Sequence, residues 1–289
     1  PAARLIDMKK ELRAGNDLDL SRELEEGVRD AILDGKQSIL FLNRRGNSRF
    51  LVCMDCGDVP QCPRCSVHLT YHSAGRRLMC HYCGYSEPAH ARCAKCGGAM
   101  KAVGSGTQKV EQELFDLFPK AKVLRMDADT VAAAHGHEAL LKEFTQKNIP
   151  ILLGTQMVAK GLDFENVTLV GVLDADLSLY VQNYHAAERT YSLLAQVVGR
   201  AGRGERPGRA VIQTYHPENE VIQAAAKQDY EAFYEEEILY RELLEYPPAG
   251  HMLTILVVSK DEKRCKGLAV RLAKEAGAYV QVIGPTPAA

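Results

Sequence analysis

Eight of the nine cysteines in this 289-residue chain fall in one stretch, as four C-x-x-C pairs: Cys53/Cys56, Cys62/Cys65, Cys80/Cys83 and Cys93/Cys96. Two residues between thiols let one tight turn present both sulfurs to a single ion, and four thiolates close a tetrahedral zinc site. Eight thiolates therefore imply two zinc ions. A disulfide framework is the alternative, but a disulfide across adjacent C-x-x-C thiols is strained, and four such pairs in a row suit metal better. Iron–sulfur ligation and redox dithiols are the other chemistries open to the pattern.

Between Cys65 and Cys80, the run SVHLTYHSAGRRLM has two short arms around Ser73-Ala74-Gly75 and reads as a β-hairpin. A hairpin brings its ends together, so Cys62/Cys65 and Cys80/Cys83 are expected to share one ion, as in zinc ribbons. The outer pairs, Cys53/Cys56 and Cys93/Cys96, are left for the second. A sequential pairing is the alternative that the same spacing allows. From Arg44 to Lys101 there are nine Lys/Arg and three Asp/Glu, a balance of +6. Eight thiolates and two zinc ions bring that to about +2. Arg44, Arg45, Arg49, Arg64, Arg76 and Arg77 are candidate phosphate contacts, and a structural, partner-docking module explains the stretch equally well.

Three further stretches carry chemistry at the ends of expected elements. Asn43-Arg44-Arg45-Gly46 follows an apolar run, SILFLN. Gly154-Thr155-Gln156-Met157 and then Lys160-Gly161-Leu162-Asp163 follow IPILL; Thr155 is placed to cap the next helix, and a helix N-terminus is a natural phosphate site. Gln196 to Arg203 ends a helix, with Arg200 and Arg203 three apart and so on one side of it. Two guanidinium groups so placed can grip the γ-phosphate of a nucleotide held by another domain. Each has a plainer reading: Thr155 as a cap only, the arginines as partners of the helix dipole, and Asp174 and Asp176 as loop-forming acids at a strand end.

The elements that must position these residues alternate. Leu24, Val28 and Ile32 recur at helical spacing behind Ser21 as N-cap, and SILFLN suits a strand buried on both faces. Helix around Val110–Phe118, strand at Lys122–Met126, helix at Leu140–Phe144, strand at Ile149–Gly154, strand at Val167–Leu173, helix at Ala187–Val198 and strand at Ala210–Tyr215 follow in turn. This predicts an α/β fold, a doubly wound parallel sheet with ligands at strand C-termini, and the cysteine module inserted into it. Expected boundaries are 1–50, 51–100, 101–216, 217–245 and 246–289. Pro217 to Glu245 holds nine acids against Lys227 and Arg241, an acidic helical stretch read as a solvated face. The last part predicts a strand (Met252–Ser259), a helix (Lys263–Ala276) and a strand (Val280–Ile283), the start of an α+β domain too short to close a core. The chain reads as cut at both ends.

Formal charge is −1, so nothing global argues for nucleic acid, and 46% hydrophobic content supports a sizeable core. No apolar run approaches a membrane span, no signal-peptide shape opens the chain, and thiolate clusters need a reducing compartment, which points to the cytoplasm.

The motifs ILFLNRRG, ILLGTQMVAKGLDFENVTLVGVLDADLSL and QVVGRAGRGERPGRAVIQT resemble the second motor-lobe motifs of superfamily 2 helicases. The double four-cysteine insertion after LNRRG, together with GSGTQKVEQELFDLFP, VLRMDADT and the YPP junction, narrows the resemblance to the primosomal replication-restart DNA helicases. The resemblance implies a RecA-like second lobe with a two-zinc ribbon-like insertion, in a monomeric ATP-driven 3′-to-5′ helicase acting at stalled forks. It also implies forked and single-stranded DNA, primosome proteins and single-strand DNA-binding protein as partners. It makes Arg200 and Arg203 the γ-phosphate arginines and Gln196 the coupler of nucleotide to strand movement. Gly161 and Asp163 lie at the nucleotide cleft, Thr155, Asn43 and Arg44 on the DNA track, and the eight cysteines on zinc. Leu162 departs from the histidine of many relatives. The sequence has no G-x-x-x-x-G-K-[ST] and no D-E-x-H box, so Mg2+-ATP would be held mainly by a first lobe that this chain lacks. The rival reading is a zinc-ribbon nucleic-acid- or protein-binding module with a non-motor α/β domain.

Overall fold

The computed structural model describes residues 3–42, 49–64, 67–73, 75–104, 106–133, 136–155, 164–181, 183–201 and 208–286. The chain divides into two compact units, one of Pro1–Asn47, Val103–Leu179 and His185–Glu237, the other of Ser48–Ala102, Tyr180–Tyr184 and Ile238–Ala289.

In chain order the first elements are β1 (Arg4–Asp7), α1 (Met8–Arg13), α2 (Arg22–Leu33) and β2 (Gln37–Phe41). The cysteine-rich stretch supplies β3 (Phe50–Cys53), β4 (Thr70–His72), β5 (Arg77–Met79), β6 (Ser86–Pro88) and β7 (Met100–Val103). Then come α3 (Thr107–Leu117), β8 (Val123–Met126), α4 (Ala128–Ala133), α5 (His137–Gln146), β9 (Ile151–Gly154) and β10 (Val167–Val172). A 3-10 turn (Ala175–Ser178) precedes α6 (Ala186–Arg200), β11 (Arg209–Thr214), α7 (Glu220–Lys227), α8 (Tyr230–Leu243) and α9 (Glu262–Ala276).

Six strands form the central sheet in the order β1-β11-β10-β2-β9-β8, and every neighbouring pair is parallel. Successive strand residues face opposite sides of a sheet, and here each side has its own core. Ile39 and Phe41 of β2 join Leu152, Val170 and Val172 beneath α5, α6 and α7. Leu40 and the following Leu42 join Ile151, Leu153 and Leu169 beneath α2 and α3. That double burial is why SILFLN is continuously apolar, and it makes the sheet doubly wound. The N-terminus of α2 is fixed by the Ser21 hydroxyl, which accepts the Leu24 N–H at 3.2 Å, a cap worth about 1 kcal/mol. α2 lies close on β10 because Gly171 leaves room: a Cβ there would stand 2.6 Å from Leu24 Cδ1 and 2.9 Å from Leu40 Cδ2.

In the other unit, β3 and β7 form a two-stranded sheet, and β4, β5 and β6 a three-stranded one. β4 and β5 are the two arms of the hairpin, antiparallel with Thr70 opposite Met79.

Two expectations need correction. The apolar segments at 252–259 and 280–283 form no strand; α9 is the regular element there. A strand needs a neighbour to complete its ladder, and these residues stay outside, Leu253 at 85% and Val258 at 81% exposed. The acidic stretch is two helices rather than one solvated face: α7 buries Ile222, Ala224, Ala225 and Ala226, while α8 buries Phe233. At the start, Asp7 closes β1 and caps α1 by accepting the Lys9 N–H at 2.9 Å.

Candidate metal centres and the carboxyl edge of the sheet

The first cysteine of each pair makes the same local bond. The N–H of the first cysteine donates to the carbonyl five residues on: Cys53 to Asp58 at 2.9 Å, Cys62 to Val67, Cys80 to Tyr85 and Cys93 to Gly98, each at 2.8 Å. In three of the four, a glycine follows the second cysteine, and its N–H returns to the carbonyl of the first (Gly57, Gly84 and Gly97). These glycines have φ of +80°, +73° and +76°, a conformation in which a Cβ is penalised. The repeat Cys-x-x-Cys-Gly is thus a backbone requirement as well as a ligand spacing.

These turns gather the sulfurs in two groups. The sulfurs of Cys53, Cys56, Cys93 and Cys96 all lie within 4.8 Å of one another, and so do those of Cys62, Cys80 and Cys83. Within the first group Cys53 Sγ is 3.4 Å from Cys96, Cys56 is 3.7 Å from Cys93, and Cys96 is 3.4 Å from Cys56. Within the second, Cys62 and Cys83 are 3.5 Å apart. Four sulfurs at about 2.3 Å from a tetrahedral ion stand about 3.8 Å from each other, so these separations fit a shared zinc and are too long for disulfides. The outer pairs therefore lie together, and the inner pairs lie together through Cys62, Cys80 and Cys83; Cys65 lies outside the described residues. In the outer group, Cys53 and Cys56 are shifted in opposite directions. Burial pushes the Cys53 thiol up, but the N–H groups of Cys56 and Asp55 and the neighbouring thiols outweigh it and hold it at about 7. The Asp58 N–H pulls Cys56 down, but burial and the thiols around it drive it to about 12. A zinc ion held by Cys53, Cys56, Cys93 and Cys96 would remove that conflict by accepting all four thiolates.

At the sheet, the strand ends align. Phe41 stands opposite Gly154 and Val172, Met126 opposite Gly154, and Val172 opposite Ile212. The loops after β8, β9, β2 and β10 thus leave from one carboxyl edge, where ligands bind in parallel sheets. Thr155 is half-buried just past β9, and its N–H donates to the Met126 carbonyl at 3.3 Å. Gln196 is exposed on α6, and Arg200 is the last residue of that helix. Asn43, Arg44, Gly161, Asp163 and Arg203 lie outside the described residues. α6 is anchored through buried Leu194, Val197 and Val198. Gly208 passes close to its end: a Cβ there would overlap the Ala201 carbonyl.

Two connections at this edge join residues far apart in sequence. Asp176, 1% exposed, accepts the Thr214 hydroxyl at 2.7 Å and the Tyr215 N–H at 2.8 Å, tying the turn after β10 to the end of β11. It is a buried strap rather than a loop-forming acid. Asp127 accepts the Thr107 hydroxyl at 2.7 Å and the Thr130 N–H at 3.0 Å, joining the start of α3 to the end of β8. Arg125 pairs with Glu111 at 2.9 Å and approaches Asp127 at 3.0 Å, the latter without hydrogen-bond alignment. Burial raises the Asp127 carboxyl, but the Thr130 N–H, the Thr107 hydroxyl and Arg125 together hold it below the usual range.

Comparison with known proteins is consistent with this architecture. Residues 98–205 match the helicase conserved C-terminal domain, so a helicase-type lobe carries the aligned strand ends. Residues 62–88 match the PriA DNA helicase Cys-rich region domain, and that match together with the sulfur geometry supports zinc binding. The chain is 46% identical over 291 residues to replication restart protein PriA of Bacillus subtilis, covering 99% of this chain and 36% of the relative. It is 41% identical to that of Synechocystis, covering 100% and 36%, and 35% identical to that of Rickettsia felis, covering 99% and 44%. The chain belongs to the PriA family, and it spans well under half the length of these relatives. Among the described residues, no helix is long and apolar enough to cross a membrane.

Proposed function

We propose that this chain is the C-terminal helicase lobe and zinc-binding region of an ATP-dependent 3′-to-5′ DNA helicase that restarts stalled replication forks and helps to assemble the primosome. Residues 1–50 and 101–216 make the lobe, 51–100 the zinc-binding insertion, 217–245 a connector and 246–289 the start of a further domain. The observation that carries the reading is the alignment of four strand ends at one carboxyl edge, because the motif loops that begin with Asn43 and with Thr155 follow hydrogen-bonded neighbours, β2 and β9.

In this reading Thr155, Asn43 and Arg44 hold backbone phosphates of the DNA strand. Arg200 and Arg203 balance charge that builds on the γ-phosphate in the transition state, where an arginine finger is worth about 10³–10⁵ in turnover. Gln196 couples that contact to strand movement, and Gly161 and Asp163 border the nucleotide. Mg2+-ATP is held mainly by a partner lobe. Two zinc ions, each on four thiolates, brace the insertion. Cys65 completes the set with Cys62, Cys80 and Cys83, supported by the Cys62 N–H bond to Val67, the same bond that the first cysteine makes in the other three pairs. The partners are forked and single-stranded DNA, primosome proteins and single-strand DNA-binding protein, met in the cytoplasm.

The deciding experiment is Arg203→Ala in the full-length protein. ATP binding is expected to survive while DNA-stimulated turnover collapses; unchanged turnover removes the finger assignment.

A further inference from the structure

Two histidines in the cysteine-rich unit have a geometry that neither thiolate group uses. His72 ends β4, and His81 lies inside the Cys80–Cys83 turn. Their Nε2 atoms are 3.3 Å apart, and the rings meet edge to face with centroids 5.3 Å apart and planes at 61°. Both are half-buried, so one side of the pair faces solvent.

We propose that His72 and His81 form a separate, two-imidazole site for a divalent transition metal of the zinc type. Zinc binds imidazole nitrogen at about 2.0–2.1 Å, and two such bonds at the tetrahedral angle place the nitrogens about 3.4 Å apart. The observed separation is therefore the bite of a chelate as well as the length of a hydrogen bond. Imidazole suits zinc, copper and nickel, and carboxylate-preferring ions such as magnesium have no oxygen donor in this pair. The sulfur nearest in sequence, that of Cys80, is already gathered with Cys62 and Cys83, so water completes the coordination on the open side.

The proton balance is simple. In the hydrogen bond between the rings, one Nε2–H donates to the other Nε2. Binding moves that proton by way of solvent to Nδ1 of the same ring, so both Nε2 lone pairs turn to the metal and no net proton is released. Little ordering is required, because both backbones are already fixed. His72 is laddered opposite Arg77, and the turn around His81 is closed by the Gly84 N–H to the Cys80 carbonyl at 3.0 Å. An ion here would pin the end of one hairpin arm to the inner thiolate turn.

The test takes the whole chain with its thiolate groups saturated with zinc, adds further zinc, and follows the histidine ring nitrogens by long-range proton–nitrogen correlation. Nε2 of His72 and His81 is expected to shift together along one saturable curve. In His72→Gln and in His81→Gln the added zinc should bind at least about tenfold more weakly, the least that losing a ligand should cost, with zinc at the thiolates unchanged as the control for folding. If a substitution disturbs folding, the wild-type spectrum alone decides. Silence at both rings into millimolar zinc, or shifts confined to other histidines, overturns the proposal and leaves a plain histidine–histidine hydrogen bond.

Discussion

Replacing Asp176 tests how the carboxyl edge of the sheet is held. The side chain serves two donors, the Thr214 hydroxyl and the Tyr215 N–H, and the Thr214 oxygen in turn accepts the His216 N–H at 2.9 Å. Asp176→Ala strands both donors where water does not reach, at about 1–3 kcal/mol each, so the variant should lose roughly 3–4 kcal/mol. Asp176→Asn keeps an oxygen for Tyr215 and turns an amide toward the Thr214 oxygen. Only the Thr214 proton is left without an acceptor, and the cost is about 1 kcal/mol. Burial raises the Asp176 carboxyl above its ordinary range, against the downward pull of its two hydrogen bonds. A carboxyl raised on folding binds its proton more tightly in the folded state. The resulting stability is fully present below about pH 4, the unfolded value, and is lost as pH rises through the folded one. Asparagine does not titrate, so its deficit relative to aspartate should be largest in acid and shrink toward neutrality. Urea unfolding of the zinc-loaded chain by circular dichroism, at mildly acidic and neutral pH, reads these differences, and hydrogen exchange at the Tyr215 amide reads the local loosening. A cost for alanine below about 1 kcal/mol, equal costs for alanine and asparagine, or a deficit that grows toward neutrality would refute the reasoning.

Gly208→Ala should push the Ala201 carbonyl and the end of α6 away, destabilising by about 1–3 kcal/mol; in the full-length protein it should lower ATP turnover, measured by phosphate release, without touching Arg203. Cys53→Ser should halve bound zinc by metal analysis, from about two ions to about one, and Cys80→Ser should do the same. Thr107→Val removes a donor that holds the Asp127 carboxyl low. A lowered carboxylate contributes stability that is present above the unfolded value, about pH 4, and lost as pH falls through the folded one. The variant should therefore be about 1 kcal/mol less stable at neutral pH, with a flatter acid limb in urea midpoints. The chain by itself, with no phosphate-binding G-x-x-x-x-G-K-[ST] segment in its sequence, should show no DNA-stimulated ATPase in a steady-state assay.

What the sequence made legible was whatever leaves a periodic or a chemical trace. β2 could be found because both its faces are buried, which removes polar residues at every position. α2 showed itself through Leu24 and Val28 behind a serine cap, and the hairpin through two short arms around a glycine. The paired thiols announced their chemistry because their spacing and their ligand type coincide. Long-range polar ties left no such trace. Asp176 and Thr214 are separated by 38 residues, and nothing local distinguishes this acid from Asp174. α7 hid its buried face because alanines at Ala224, Ala225 and Ala226 carry little apolar weight beside nearby glutamates. The segment at 252–259 misled in the opposite sense: β-branched and apolar residues state a capacity for strand, but a ladder is a property of two segments.

The order of the cysteine pairs follows from the need to return the chain. An insertion between consecutive elements of a folded sheet must leave and come back at neighbouring points, or the host strands separate. β3 and β7, the first and last strands of the stretch, pair with each other, and the Met54 N–H reaches the Ala99 carbonyl at 2.9 Å. The first cysteine turn follows β3 and the last precedes β7, at the same end of this two-stranded sheet, so their sulfurs meet. A sequential arrangement would place one ion on the outgoing limb and another on the returning limb, and leave the stem to a few backbone bonds. Gathering the outer four sulfurs closes the stem, while the inner group closes the hairpin beyond it. The two groups should therefore fail differently. Loss of the outer four should free both limbs of the stem, raising hydrogen exchange at Met54 and Cys53. Loss of the inner group should raise exchange at Thr70 and Met79 and leave the stem protected. The parallel sheet, with separate cores on its two faces, should keep its protection in both cases.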